Sequence, residues 1–312
     1  MKFRAILIVI CFLLLVFCTY FFIPSTLKIS KIIKISSTSE VSLRFLSSDT
    51  FIQKWMTSNR GQHSTDGKYT FKNTGFKLEQ VKLDYVLFKL THAGFELPSY
   101  ITINDVGIDS AEIVWQTTYK TSLNPFKRVR EYIDARSLHA DLGDVLQVFK
   151  TYVEDDFKVY NLKIRKEKVT DSILITTKFV SDNYPTMVTV YQKINLLRIS
   201  AAKNACLQTD SPMLNIVKNP AGKFEIQTAV PVDKTYLTTA DQPLKRMVLG
   251  NILVTDVKGG RSKIENAFKQ IGYYLNDKHL VSPAIPYESL IVNRLEEPDS
   301  SKWITRIYYP IY

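Results

Sequence analysis

The stretch RMVLGNILVTDVKGGRSKIENAFKQIGYYL (residues 246–275) decides how the second half of the chain is read. Its β-branched and apolar residues from Arg246 to Lys258 read as a strand, Gly259-Gly260 as a sharp exit, and Ser262 onward as a helix. Ile264, Ala267, Phe268, Ile271, Tyr274 and Leu275 recur at three- and four-residue spacing, which gives that helix one apolar face. Pro286 leads into a strand over Tyr287–Leu295, and Trp303–Pro310 closes the unit. The same succession occurs earlier. Strand Ser172–Val180 is followed by a helix opened by Pro185, with Met187, Val190, Tyr191, Ile194, Leu197 and Ala201 on one face. Pro212 then leads into Met213–Val217, and Phe224–Val232 completes the copy. Pro185 precedes Pro212 by 27 residues and Ser262 precedes Pro286 by 24, so the two units agree in pitch. Each three-stranded sheet alone leaves a face uncovered. Two β-α-β-β units are therefore expected to pair about a pseudo-twofold axis, with a groove at their junction.

Upstream, residues 28–153 read as strand, helix pair, antiparallel meander and long helix. Lys28–Ser36 is strand-like, although its lysine spacing of three also fits a continued helix. Ser37-Thr38-Ser39 is a capping cluster before a helix over Glu40–Leu46, and Asp49 can cap a second one through Trp55 and Met56. Alternating segments such as Tyr85–Thr91, Tyr100–Asn104 and Glu112–Tyr119 follow, punctuated by Gly75, Gly94, Pro98 and Gly107. Leu138, Leu142, Val145, Leu146, Phe149, Tyr152 and Val153 then form one face of a long helix. A sheet wrapped on such a helix either encloses a cavity or closes as a core, with Trp115, Phe88 and Phe149 placed to fill it.

The first residues are of another kind. Ala5–Ile23 (AILIVICFLLLVFCTYFFI) is a 19-residue run without charge, about 28 Å long as a helix and so close to the ~30 Å of a bilayer's hydrocarbon core. Tyr20, Phe21 and Phe22 stand where an interfacial aromatic belt would. No small-x-small cleavage site follows, and Phe17 precedes Cys18 where a lipoprotein signal needs a small residue, so an uncleaved single-pass anchor is expected. Lys2 and Arg4 nearly balance Lys28, Lys31 and Lys34, and the short leader favours an extracytoplasmic body.

Net charge is +11, but five of those cations precede Glu40, which leaves +6 spread over the other 278 residues. A nucleic-acid partner needs a concentrated basic face, so none is expected. Cys11 and Cys18 lie in the apolar run, leaving Cys206 alone in the body, and His63, His92, His139 and His279 show no ligand spacing. No metal and no cofactor is expected.

The repeat resembles the GyrI-like effector-binding domain, through the Val-Lys-Gly-Gly strand exit (257–260), Tyr287-Glu288 on the next strand, and the closing Tyr-Pro (309–310). The region before it is similar to SRPBCC (START-like, helix-grip) domains, through Ser-Thr-Ser-Glu-Val-Ser (37–42), the short helix pair ending in Trp55, and the long helix. The expected fold class is thus α+β: an anchor over residues 1–27, a helix-grip domain over 28–157 and a GyrI-like domain over 158–312.

The GyrI-like resemblance implies a carboxylate among aromatic rings that receives hydrophobic cations. Glu288 holds the family's Tyr-Glu position, and Trp303, Tyr308, Tyr191 and Tyr287 are the candidate ligand-binding rings. Alternation places Tyr287 and Glu288 on opposite faces of a regular strand, so only one of the two can face the groove. Glu225 is a second acid of the same kind. No Ser/His/Asp arrangement, nucleophile elbow or cofactor fingerprint is present. The expected function is therefore a membrane-tethered, non-catalytic binder of a small apolar or cationic ligand, with a lipid or second apolar ligand in the helix-grip domain. Two alternatives stand beside it: a hydrolase acting on a reactive molecule in the GyrI-like pocket, and an interaction or scaffold module whose groove is filled by its own side chains.

Overall fold

In the computed structural model, residues 10–57 (except 12, 15 and 19), 62–63, 67–170 and 172–312 are described, and the chain divides into Met1–Asp155 and Asp156–Tyr312. Both units are α+β and each is built on one large antiparallel sheet.

The N-terminal unit runs β1 (Thr26–Ile35), α1 (Ser39–Leu46), α2 (Asp49–Thr57), β2 (Gln62–His63), β3 (Lys68–Phe71), β4 (Thr74–Val81), β5 (Val86–His92), β6 (Phe95–Gly107), β7 (Ser110–Lys120) and α3 (Pro125–Val153). The strands order as β1-β7-β6-β5-β4-β3-β2. Lys28–Ile35 is strand rather than continued helix, with Ser36 just past its end: β1 pairs with β7 from Thr26↔Lys120 to Ile35↔Ala111. Thr38 caps α1 by accepting from Val41 N, and Asn124 Oδ1 caps α3 by accepting from Phe126 N (3.0 Å) and Lys127 N (3.2 Å), with Pro125 following where its missing N–H costs nothing.

Large rings pack against one another inside this unit. Trp55 meets Phe149 edge-on with ring centroids 5.1 Å apart, and Trp115 lies 5.4 Å from Phe76 and 5.7 Å from Phe88, all of them buried. Both indoles are satisfied: Trp55 Nε1 donates to Phe45 O and Trp115 Nε1 to Ser99 Oγ, each at 3.0 Å. These rings pack in the region where a lipid or second apolar ligand was expected.

Of the membrane span expected over residues 5–23, residues 5–9, 12, 15 and 19 lie outside the described residues. Among the described residues, no helix is long and apolar enough to cross a membrane.

The C-terminal unit runs α4 (Asp156–Tyr160), β8 (Arg165–Lys168), β9 (Ile173–Ser181), α5 (Met187–Lys203), β10 (Met213–Lys218), β11 (Phe224–Val232), β12 (Leu244–Arg246), β13 (Asn251–Lys258), α6 (Arg261–Asp277), β14 (Tyr287–Leu290) and β15 (Ile304–Ile311). The sheet order β12-β9-β11-β10-β14-β15-β13-β8 holds the two copies as β9-β11-β10 and its reverse, β14-β15-β13. Their seam is the short antiparallel pairing Met213↔Ser289 and Leu214↔Glu288. Each helix buries its apolar stripe on its own half: Val190, Ile194 and Leu197 of α5 on one, Ile264, Ala267 and Ile271 of α6 on the other.

Two strands differ from the expected ones. The run from Arg246 to Lys258 is broken at residues 247–250, because Leu244–Arg246 pairs with β9 on one copy whereas Asn251 onward pairs with β15 on the other. The strand expected through Leu295 ends at Leu290, after which the chain turns. Gly259 has φ +130°, a conformation that L side chains rarely adopt, and its N–H donates to Trp303 O at 2.9 Å. A Cβ on Gly260 would lie 3.0 Å from Ser300 Oγ. The Gly-Gly exit therefore lets the residue 300–303 turn sit against the start of α6.

Candidate functional site

The seam and the two helix starts enclose a cleft of about 270 Å³ on the helix side of the sheet. Tyr184, Pro185 and Met187 line it from the start of α5; Arg261, Ile264, Glu265 and Phe268 from the first turns of α6; Ile216 and Glu288 from the two seam strands; Arg294 and Trp303 from the turns after β14.

Its floor is an ion pair. Glu288 and Arg294 are both buried, and Arg294 Nη2 lies 2.7 Å from Glu288 Oε2. The same nitrogen donates to Thr305 Oγ1 (2.8 Å), and Nη1 lies 3.7 Å from Met187 Sδ. The guanidinium carbon stands 5.0 Å from the centroid of Trp303, whose Nε1 donates to Glu297 O at 2.8 Å. Nearer the mouth, Arg261 lies 3.5 Å from the centroid of Tyr184 and its Nε is 2.6 Å from Glu265 Oε1. Both arginines thus stack on a ring and pair with an acid, which leaves the cleft electrically balanced.

Burial pushes the Glu288 carboxyl above its ordinary range, against the opposing pull of Arg294. Burial also raises the Tyr184 phenol, and the Glu288 charge adds to that shift.

The expected site residues separate. Glu288 and Trp303 meet in the cleft. Tyr287 and Tyr308, paired across β14 and β15, stack with centroids 4.9 Å apart, and Tyr287 packs with Leu174, Met213 and Ala229. That cluster is on the opposite face of the sheet from Glu288, as alternation requires, so these two rings do not line the cleft. Tyr191 is buried in the core of the first copy, where its hydroxyl accepts from Arg294 N (3.0 Å) and donates to Val292 O (3.4 Å). It fastens the turn that carries Arg294 rather than facing the cleft. Glu225 is exposed and accepts from Asn219 Nδ2.

Among the lining residues that the sequence reading did not place in a ligand site are Arg294, Arg261, Tyr184 and Met187. Arg294 left one signal, the same parity as Glu288 in what read as a single strand. Tyr184 and Met187 flank Pro185, whose place at the helix start was legible. Among the described residues no group of three His, Cys, Asp or Glu side chains could hold a metal ion.

No protein-family model and no curated protein matches the sequence. Solved structures similar to this chain include the EcmrR C-terminal domain, at 15% identity over 48% of this chain and 98% of that one, with a TM-score of 0.42. SAV2435 bound to tetraphenylphosphonium is similar at 15% identity over 48% of this chain and 94% of that one, with a TM-score of 0.32. A START superfamily protein from Mycobacterium smegmatis is similar at 13% identity over 39% of this chain and 98% of that one, with a TM-score of 0.23.

Proposed function

We propose that the chain is a membrane-tethered, non-catalytic binder of a small molecule, and that the cleft between α5 and α6 is its binding site. The observation that carries this reading is the Glu288–Arg294 pair, buried at the bottom of an apolar concavity and stacked on Trp303. A buried pair is weak as a stabiliser, because desolvation offsets most of its Coulomb attraction, whereas a few convergent polar groups in an apolar cleft orient a ligand. A volume of about 270 Å³ is at the small end for ligand sites, which run from ~300 to 1,000 Å³. It suits a molecule of one or two rings.

The pairing also bears on charge. Arg294 already occupies the position at Glu288 that a cationic ligand would take, so a neutral ring-bearing molecule stacking on Trp303, Phe268 and Tyr184 is the better fit. The same engagement supports binding over hydrolysis, since a carboxylate held by a guanidinium is a poor general base.

The test is thermal unfolding of the full chain in detergent with indole, naphthol or tetraphenylphosphonium. Indole or naphthol is expected to raise the melting temperature, tetraphenylphosphonium is not, and Ile216→Trp, which fills the cleft, is expected to abolish the gain. Equal stabilisation of parent and Ile216→Trp would place the ligand elsewhere and defeat the reading. The tether over residues 5–23 and the extracytoplasmic body are tested separately, by carbonate extraction of membranes and by protease treatment of intact against permeabilised cells.

A further inference from the structure

Helix α3 faces its surroundings in two different ways along its length. Arg128, Glu131, Ala135, Leu138 and Leu142 form the buried stripe. From Arg136 onward the outward positions carry polar or small side chains, as on an ordinary surface helix. Before that, the outward stripe is apolar: Phe126 is 64% exposed and Ile133 60%, with Val129 exposed between them at i+3 spacing. Leu123, just ahead of the helix, is 83% exposed. Scattered exposed apolar side chains need no explanation, but a contiguous stripe confined to the first turns of one helix does.

What that stripe adjoins is fixed by three contacts. Arg128 Nε donates to Ile23 O at 2.8 Å, the Arg128 guanidinium carbon stands 4.9 Å from the centroid of Tyr20, and Tyr20 OH donates to Leu123 O. The start of α3 is thus pinned to the last residues of the uncharged run, where Phe17, Phe21 and Phe22 are themselves exposed. Lys120, Lys127 and Arg130 surround the stripe and are exposed, while Glu131 is turned inward, accepting from Ser122 N at 2.7 Å. Aromatic and aliphatic side chains ringed by cations, next to an uncharged helical run, match the composition of a helix face seated at a bilayer interface.

We infer that the first three turns of α3 lie against the lipid surface beside the 5–23 segment, with Phe126 and Ile133 in the headgroup region and Lys127 and Arg130 toward anionic lipid. This inference rests on the proposed membrane tether. It adds a second point of attachment, which would fix how the N-terminal unit stands on the membrane instead of leaving it on a swivel.

The test uses full-length Phe126→Trp in vesicles of phosphatidylglycerol and phosphatidylcholine, the latter brominated near the headgroup end of its chains. Of the native tryptophans Trp55 and Trp115 are buried and Trp303 is half-buried, so the added emission is read against the parent chain. The control is Ile108→Trp, also at an exposed position, in the β6–β7 turn at the end of the sheet away from the Thr26↔Lys120 pair. A ring seated ~5–10 Å into the interface is expected to lose about half of its added emission at position 126, and Ile133→Trp to behave alike, while position 108 loses none. If the chain floats with vesicles but the Phe126→Trp variant is quenched no more than the Ile108→Trp control, the seating is wrong and the tether survives. If the chain does not float, the tether fails and the seating with it. A dimer in detergent that shields the indole of the Phe126→Trp variant would assign the stripe to a second copy and overturn the inference as well.

Discussion

Arg294 reaches back across six residues to Glu288, Nη2 to Oε2 at 2.7 Å, because the chain turns sharply after Leu290 and Tyr191 holds the turn by its hydroxyl. The cation of the pair is thus delivered by an irregular segment, whereas the anion stands on a seam strand. Removing the cation alone is expected to be costly. Arg294→Met should lower stability by about 3–5 kcal/mol in urea, since an uncompensated carboxylate stays buried. The double variant Glu288→Gln/Arg294→Met should recover most of that loss. The single variant should also acquire stabilisation by benzyltrimethylammonium, a one-ring cation, because the acid and Trp303 are then free to meet an external cation. A single variant as stable as the parent would mean that the pair is not buried in solution.

The Glu288 carboxyl also makes a pH signature. Its folded-state value is raised by burial, so the folded form holds its proton more tightly than the unfolded chain, whose glutamates titrate near ~4.3. The stabilising contribution is therefore complete below that unfolded value and is lost as pH rises through the folded one. Unfolding free energy measured across the acid range should fall with rising pH above ~4.3 by a component that Glu288→Gln removes. A Glu288→Gln profile parallel to the parent's would show that burial does not dominate this group.

The parts of the fold with their own periodicity were legible from the sequence. Val190, Ile194 and Leu197 announced α5 and its buried face, Ile264, Ala267 and Ile271 announced α6, and the opposed faces of Tyr287 and Glu288 followed from alternation alone. Arg294 was not legible, because its position depends on where β14 stops. The pairing with β10 spans only two residues, and Asn293, whose Oδ1 accepts from Leu295 N at 3.1 Å, stands in the turn that follows. The break after Arg246 was hidden for a related reason: a continuous apolar run exchanges one partner strand for another. The stacked pair Tyr287–Tyr308 looks, as composition, no different from a ligand cage, and only the register assigns it to the other face of the sheet.

The interior of the N-terminal unit supplies a packing prediction. Trp115 contacts Phe76 and Phe88 and is 1% exposed, so Trp115→Ala removes a large ring from a site whose neighbours are themselves rigid. The loss should be about 3–5 kcal/mol, and the dry cavity left behind should take up benzene or xenon, with a concentration-dependent recovery of the melting temperature. The parent chain should show no such recovery at this site. Equal benzene stabilisation of parent and variant would mean that the interior around Trp115 is already open.

A last prediction concerns the buried contact between the sheet and α3 in the same unit. Thr74 Oγ1 donates to Asp141 Oδ2 at 2.7 Å and lies 2.7 Å from His92 Nδ1, with all three residues buried. A hydroxyl has one proton to give. Since that proton goes to the carboxylate, the imidazole must be the donor at Nδ1, because two lone pairs at that distance would repel. His92 is therefore expected to carry its proton on Nδ1, a tautomer visible in the nitrogen shifts of the ring. Thr74→Val keeps the shape but leaves the carboxylate and the imidazole, 3.8 Å apart, without their bridge. It should lose about 1–3 kcal/mol, the range for an unmet buried polar group, while Thr74→Ser should lose little of that. An Nε2-protonated His92 in the parent would invert the donor order and remove the reason for the difference between the two variants.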